Sequence, residues 1–143
     1  MISQAKIGLG VLGLSLLSGL VAVAAEKHYI PQVPVDISLV EVEGGGYGFQ
    51  SIQPGWFYTY DKDEPGKSNC LNACAEKWVP VYPSNRQAQP LGTDWTLYQR
   101  PDDGFRQWIY KGKPIYTFGT IYDKNPQTPT PEDMGTEWHK LVP

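Results

Sequence analysis

Cys70 and Cys74 are the residues of this chain best suited to covalent or metal chemistry, and the chain holds no other cysteine. They lie four residues apart in the segment SNCLNACAEKWVP, where Ser68 or Asn69 can cap a short helix and the residue before Pro80 ends it. Side chains at i and i+4 of a helix have Cβ atoms about 5–6 Å apart, whereas a disulfide needs about 3.5–4.5 Å. The spacing alone therefore leaves four outcomes open: a disulfide in a tightened turn, a metal site, a redox pair or two inert thiols.

The N-terminus indicates the compartment in which these thiols would meet an oxidant. Residues 1–25 have one lysine, an apolar run rich in Leu, Val and Gly, and small residues at 22–25 of the kind that a signal peptidase accepts. We expect an export signal, with an uncleaved N-terminal anchor as the alternative because the run approaches the length of a membrane span. The protein is therefore predicted to be extracytoplasmic, either periplasmic or secreted.

An exported chain with two cysteines favours a structural Cys70–Cys74 disulfide, because exported proteins meet oxidising enzymes. The alternative is a periplasmic copper-binding or thiol redox protein, since thiols are soft ligands and a strained short bridge can be reducible. Such a site needs further ligands, and Met134 and His139 are the candidates, although no spacing enforces this set. We predict no cofactor for the first interpretation and copper for the alternative.

Other catalytic or metal-binding patterns in the sequence are incomplete. Asp61, Asp63 and Gly66 match positions one, three and six of a calcium loop, but proline stands at position five and asparagine at position twelve. The adjacent carboxylates at 102–103 and 132–133 lie in turn contexts. The sequence contains no Gly-x-Ser-x-Gly, no His-Glu-x-x-His and no glycine-rich phosphate loop. We therefore expect a protein that is not an enzyme, with Asp63 accepting hydrogen bonds from loop amides or a helix N-terminus.

Composition favours a small β domain. The 143 residues include 5 Trp, 9 Tyr and 4 Phe together with 13 Pro and 15 Gly, which is typical of short strands joined by tight turns. The formal net charge of −3 gives no electrostatic footprint for nucleic acid. Membrane contact is predicted only through an uncleaved signal.

Alternating apolar residues and turn signals predict the elements that would position these groups. We divide the chain into the signal at 1–25, an N-terminal lead and first strand at 26–46, and a β domain at 47–143. The helix is predicted at 71–78, so that Cys70, Cys74 and Trp78 share a face. Strands are predicted at 39–43, 55–60, 95–100, 105–110, 114–118 and 138–142.

Two of these strands have similar sequences. Residues 58–60 (Tyr-Thr-Tyr) and 116–118 (Tyr-Thr-Phe) each follow a glycine and an apolar residue, and each precedes an Asp-Lys loop and a proline. We predict a mainly β, antiparallel domain built from two related β units, with one short α-helix inserted in the first. The alternating aromatic residues are expected to supply its core.

These residues resemble a bacterial secreted-repeat family of unknown function, described as predicted lipoproteins with a Tyr-x-(Phe/Trp/Tyr)-x-x-Asp motif. The resemblance covers about residues 47–143, although the signal lacks a lipobox cysteine, Val79 separates Trp78 from Pro80, and Ile121 replaces the second aspartate. It implies a cell-envelope protein of largely β structure and does not imply an activity. Its motif residues are Tyr58, Tyr60, Asp63, Trp78, Tyr116, Phe118 and Trp138.

The function predicted from these features is that of an exported envelope protein acting as a non-catalytic binding or interaction module. Its partner would be an envelope ligand or protein whose identity the sequence does not indicate. Exposed tyrosine and tryptophan faces would supply the contacts.

Overall fold

The structure of the chain is a computed structural model that describes residues 30–51, 55–119 and 127–143. The predicted signal at 1–25 and Ile121 lie outside the described residues. Within the described ranges, no helix is long and apolar enough to cross a membrane.

The described residues form a mainly β fold of three antiparallel sheets and two short helices, which confirms the predicted fold class. A hairpin forms the first sheet, four strands form the second in the order β4-β8-β3-β9, and three strands form the third in the order β5-β6-β7. In chain order the elements are β1 (Ile37–Glu41), β2 (Tyr47–Ser51), β3 (Tyr58–Tyr60), α1 (Ala73–Lys77), β4 (Trp78–Pro80), β5 (Trp95–Gln99), β6 (Arg106–Tyr110), β7 (Lys113–Pro114), β8 (Tyr116–Phe118), α2 (Pro131–Met134) and β9 (Trp138–Lys140).

The β1–β2 hairpin is formed by the predicted first strand and a partner strand that the sequence pattern did not indicate. The triple glycine at 44–46 lies in the turn between them, with φ angles of 89° to 95° that L side chains rarely adopt. Leu39 lies opposite Phe49 in the pairing. Since Phe49 is fully buried, the hairpin packs one face on the core.

The two predicted β units interlock through a local twofold arrangement in the four-stranded sheet. Their first strands, β3 and β8, pair antiparallel at the centre, where Tyr58 lies opposite Tyr116. The closing strand of each unit then pairs with the first strand of the other unit, in equivalent registers: Trp78 lies opposite Phe118, and Trp138 lies opposite Tyr60. Each unit therefore depends on the other to complete its sheet.

Backbone hydrogen bonds beyond the strands repeat this relation at both ends of the sheet. They run from Val81 N to Ile115 O (3.0 Å) and Leu141 N to Phe57 O (2.8 Å) at one end, and from Gly119 N to Lys77 O (3.1 Å) and Asp61 N to Glu137 O (2.9 Å) at the other. Position 78 thus corresponds to 138, and 58 to 116.

The predicted helix at 71–78 is shorter in the structure. The helix α1 begins after Asn72, whose φ of 54° interrupts the chain there, and it has no side-chain cap. The capping role predicted for Ser68 or Asn69 is therefore wrong, and Cys70 precedes the helix. Trp78 belongs to β4, because it pairs with Phe118 of β8, and the extended geometry of Val79 before Pro80 is compatible with this pairing.

The second unit also contains a helix, α2, whereas the sequence predicted only the one helix inserted in the first unit. Thr130 caps it: the Thr130 hydroxyl accepts from the Asp133 amide, and the Asp133 carboxylate accepts from the Thr130 amide. By the correspondence of 78 with 138, Thr130 and Met134 stand where the first unit has Cys70 and Cys74. A capping box therefore replaces the cysteine pair in the second unit.

Two clusters of buried residues lie among these elements. The larger includes Ile37, Phe49, Trp95 and Trp108 and extends over the hairpin and the three-stranded sheet. Residues before the hairpin pack on it as well, since the Trp95 indole donates to Gln32 O at 2.8 Å. The smaller cluster consists of Tyr58, Cys70, Trp78, Tyr116 and Trp138.

Candidate functional site

Four aromatic residues of the motif form a continuous stack across the four-stranded sheet. The rings of Trp78 and Trp138 are 3.9 Å apart and nearly parallel, at 6°. Tyr60 stacks on the outer face of this pair at 4.3 Å from Trp138, and Phe118 lies 4.8 Å from Trp78. Because the strands of the two units alternate, every contact in the stack joins one unit to the other. The stack therefore holds the interlocked units together.

The two remaining motif tyrosines brace the stack from the side. Tyr58 meets Trp78 edge to face at 5.3 Å, and Tyr116 meets Trp138 in the same way at 5.1 Å. Edge-to-face pairs contribute about 0.5–1.5 kcal/mol each beyond their burial. Four of the seven motif residues are therefore buried in the core, namely Tyr58, Trp78, Tyr116 and Trp138, while Tyr60 and Phe118 are partly buried and pack against them.

Asp63, the seventh motif residue, ends a hydrogen-bond chain that begins at a buried arginine. The Arg100 guanidinium donates to Ser68 Oγ (3.1 Å), the Ser68 and Tyr116 hydroxyls are 2.7 Å apart, and the Tyr116 hydroxyl donates to Asp63 Oδ2 (2.8 Å). The Ser68 hydroxyl has two acceptors within reach of its one proton, the Tyr116 hydroxyl and, at 3.2 Å, Cys70 O. Since Tyr116 gives its own proton to Asp63, the chain is continuous when Ser68 directs its proton to Tyr116. Every link then points from the cation to the carboxylate, an arrangement in which hydrogen bonds strengthen one another.

Burial and these contacts determine the protonation states of Asp63 and Tyr116 in the hydrogen-bond chain. Partial burial raises the pKa of Asp63 above its ordinary value, opposed by hydrogen bonds from the Asn69 amide and the Tyr116 hydroxyl. Burial, followed by the neighbouring Asp63 charge, raises the pKa of Tyr116. The Tyr116 hydroxyl therefore keeps the proton that it donates to Asp63.

The buried Arg100 connects this chain to the cysteine segment. Its guanidinium also donates to Cys70 O and Asp102 Oδ2, both at 2.8 Å, and to Gln107 Oε1. Asp102 in turn accepts from the Asn72 amide at 2.9 Å. Arg100 and Gln107 are not recognisable from the sequence, because nothing in a strand-terminal arginine or a strand glutamine indicates burial.

The structure places the two cysteines at disulfide-bonding distance, with an S–S separation of 1.96 Å. Met134 and Cys74 both pack against the aromatic cluster, as the correspondence of their positions requires. His139 does not join them: it follows Trp138 on β9, so its side chain leaves the opposite face, and its ring contacts Asp61 at 2.7 Å. The described residues contain no group of three His, Cys, Asp or Glu side chains that could hold a metal ion.

An open groove of about 380 Å³ lies beside Asp63. One wall is the loop after β3, and the other is the turn between β6 and β7, where Lys111 adopts a φ of 46°. A hydrogen bond from Gly66 N to Gly112 O, 2.7 Å long, joins the two segments. We call this feature the motif groove; it is lined by Thr59, Tyr60, Asp61, Asp63, Glu64, Pro65, Lys111, Gly112, Lys113 and Pro114.

Comparison with known protein families finds a match for one segment of the chain. A family model described as a secreted repeat of unknown function matches residues 57–82, the segment from the start of β3 through α1 to the end of β4. The resemblance to a secreted-repeat family is thus confirmed over the first unit, and the family's description supports an extracytoplasmic location. No curated protein and no solved structure matches the chain.

Proposed function

We propose that this chain is a non-catalytic binding module of the cell envelope, whose ligand occupies the motif groove. The observation that carries the proposal is that hydrogen bonds inside the fold hold the groove in its shape. Asp63 is fixed by the Tyr116 hydroxyl and the Asn69 amide, and the Gly66–Gly112 bond fixes the spacing of the walls. A preformed site loses less free energy to ordering when a ligand binds.

The buried motif side chains contribute to this site indirectly, because they support its walls and do not contact the ligand. The hydroxyls of Ser68 and Tyr116 and the guanidinium of Arg100 are engaged with one another inside the fold. What the groove offers a ligand is a polar surface with both charges: exposed Glu64 and the aspartates on one wall, and exposed Lys113 on the other. Opposed charges of this kind orient a polar ligand or a partner segment.

Site-specific photocrosslinking in producing cells tests the proposal, because it captures the ligand before its chemistry is identified. A photoreactive amino acid replaces Lys113 on the groove wall, and a matched variant carries it at Glu43, an exposed position that does not line the groove. Irradiation of intact cells is expected to give a discrete adduct from position 113 and none from position 43.

Adducts of equal yield at both positions would show non-specific proximity and would contradict the assignment of the groove. Absence of any adduct at position 113 would contradict it as well. The purified adduct, analysed by mass spectrometry, also shows whether the captured ligand is chemically unchanged, as a binding module requires.

A further inference from the structure

A second groove, of about 240 Å³, lies apart from the motif residues, next to the turn that joins β5 to β6. It exposes an aromatic ring: Phe105 is 52% exposed, an unusual position for a large apolar side chain in a small domain. We call this feature the arginine groove; its lining residues are Tyr82, Pro83, Arg86, Gln99, Gly104, Phe105 and Arg106.

The aromatic wall of the arginine groove is rigidly held. Tyr82 meets Phe105 edge to face at 5.9 Å, and its hydroxyl donates to Asp103 at 2.5 Å. Asp103 also accepts from the Phe105 amide at 2.8 Å and lies 3.5 Å from the buried Arg100. The exposed ring is thus fixed to the same internal network that supports the motif groove.

The two arginines of the arginine groove, Arg86 and Arg106, are also positioned by contacts within the fold. The Arg106 guanidinium donates to Ala88 O at 2.9 Å and to Arg86 O, so it pins the loop that carries Arg86. The Arg86 guanidinium then lies over the Phe105 ring, 5.9 Å from its centre. Neither guanidinium forms an ion pair with a carboxylate of the described ranges.

The arginine without a carboxylate partner and the exposed aromatic ring together favour one class of ligand. An arginine fork that no carboxylate occupies suits a planar anion such as a carboxylate, and an exposed ring beside it suits the C–H face of a flat, polar ring. The groove volume is below the usual range of about 300–1,000 Å³ for drug-sized ligands, which favours one ring of a larger molecule. The protein carries a net charge of −3, so a cationic groove opposes its overall charge.

We propose that the arginine groove binds one uronic acid residue of an acidic glycan. The sugar carboxylate pairs with Arg86, and the sugar ring lies on the part of Phe105 that Arg86 leaves exposed. The Gln99 side-chain nitrogen donates to Gly104 O, which leaves the Gln99 side-chain oxygen at the rim to accept from a sugar hydroxyl. The two grooves share no lining residue, so a ligand in the arginine groove does not contact the motif groove.

Amide NMR titration with trigalacturonic acid, against its fully methyl-esterified form, tests the inference. The ester keeps the rings and removes only the charges, so saturable shifts are expected with the acid alone, at residues around 82–86 and 104–106. Arg86→Gln is expected to weaken binding at least about tenfold, since a hydrogen bond to a charged group is worth that factor or more. Phe105→Ala is expected to weaken binding as well, because it removes the ring on which the sugar lies. Lys140→Gln removes the same charge from an exposed position on β9 that lines neither groove, and it is expected to leave the affinity unchanged.

Equal binding of acid and ester, or no binding of either, would overturn the assignment. So would an equal loss in the Lys140→Gln variant, which would mean that net charge alone attracts the glycan. A peptide ending in a phenylalanine carboxylate serves as a competitor of another class, and tighter binding of that peptide than of the uronide would assign the groove to a protein partner instead.

Discussion

Removal of one buried hydroxyl, in the variant Tyr116→Phe, tests the hydrogen-bond chain that supports the motif groove. The substitution leaves the ring against Trp138 but removes the donor to Asp63 and the acceptor for Ser68. A hydrogen bond to a charged group contributes about 1.5–3 kcal/mol to the free energy of unfolding. At roughly 4 °C per kcal/mol for a domain of this size, we expect the melting temperature to fall by about 6–12 °C.

The variant Tyr110→Phe is the matched control. Tyr110 is as buried as Tyr116 and also lies on a strand, but its hydroxyl has no hydrogen-bond partner among the described residues. Removing a buried, unpartnered hydroxyl relieves a desolvation cost. We therefore expect Tyr110→Phe to leave the melting temperature unchanged or raise it, in a change of opposite sign to that of Tyr116→Phe.

The pH dependence of stability gives a second test of the hydrogen bond between Tyr116 and Asp63. Because the folded-state pKa of Asp63 is raised, its contribution to stability is fully present below the unfolded pKa and is lost as the pH rises through the folded value. The Tyr116 hydroxyl opposes that loss, so Tyr116→Phe is expected to cost more at pH 7 than at pH 3. Equal melting temperatures for the Tyr116 and Tyr110 variants at both pH values would refute the proposed chain.

Three further predictions concern other parts of the fold. Gly48→Ala would place its Cβ 2.4 Å from Trp56 Cζ3, so calorimetry is expected to show a loss of about 1–3 kcal/mol from overpacking; an unchanged unfolding midpoint would contradict the close contact. Replacing both cysteines by alanine is expected to cost about 2 kcal/mol by the loop-entropy model, and denaturant unfolding that matches the parent protein would argue against a bridge that stabilises the fold. Hydrogen bonds from Lys77 and Thr130 lower the pKa of Asp133 to about 2, so its stabilising effect is present above the ordinary pKa of about 3.9 and lost as the pH falls toward 2. Asp133→Asn is accordingly expected to melt below the parent at pH 6 and by a much smaller difference at pH 2, where much of the Asp133 carboxylate is protonated. A constant difference across that range would contradict the cap.

The fold class was predictable because its signals are local. Alternating residues and glycine turns identified the strands on either side of the turn at 102–104, and the repeated Tyr-Thr-aromatic segments identified the two units. The short strand β4 was missed, because three residues ending in Pro80 carry no alternation of their own. Their strand geometry comes from pairing with β8, more than thirty residues away.

The candidate sites were less predictable, because they depend on distant contacts. The motif tyrosines were recognised, but Arg100 acquires its role only when folding brings it to Ser68 and Cys70. The same holds for the arginine groove, where Arg86 and Phe105 are separated by β5 in the sequence. An isolated arginine in a loop has no pattern that distinguishes it from a solvated surface charge.

Amide NMR of the isotope-labelled protein, titrated with a solubilised envelope fraction, decides whether the motif builds a preformed binding groove. We expect saturable shift changes at residues 59–66 and 111–114, abolished by Lys113→Glu, with the amides of the buried chain at 68–70 unaffected. Shift changes centred on the Cys70–Cys74 segment, or spread evenly over the surface, would contradict a ligand site in the motif groove.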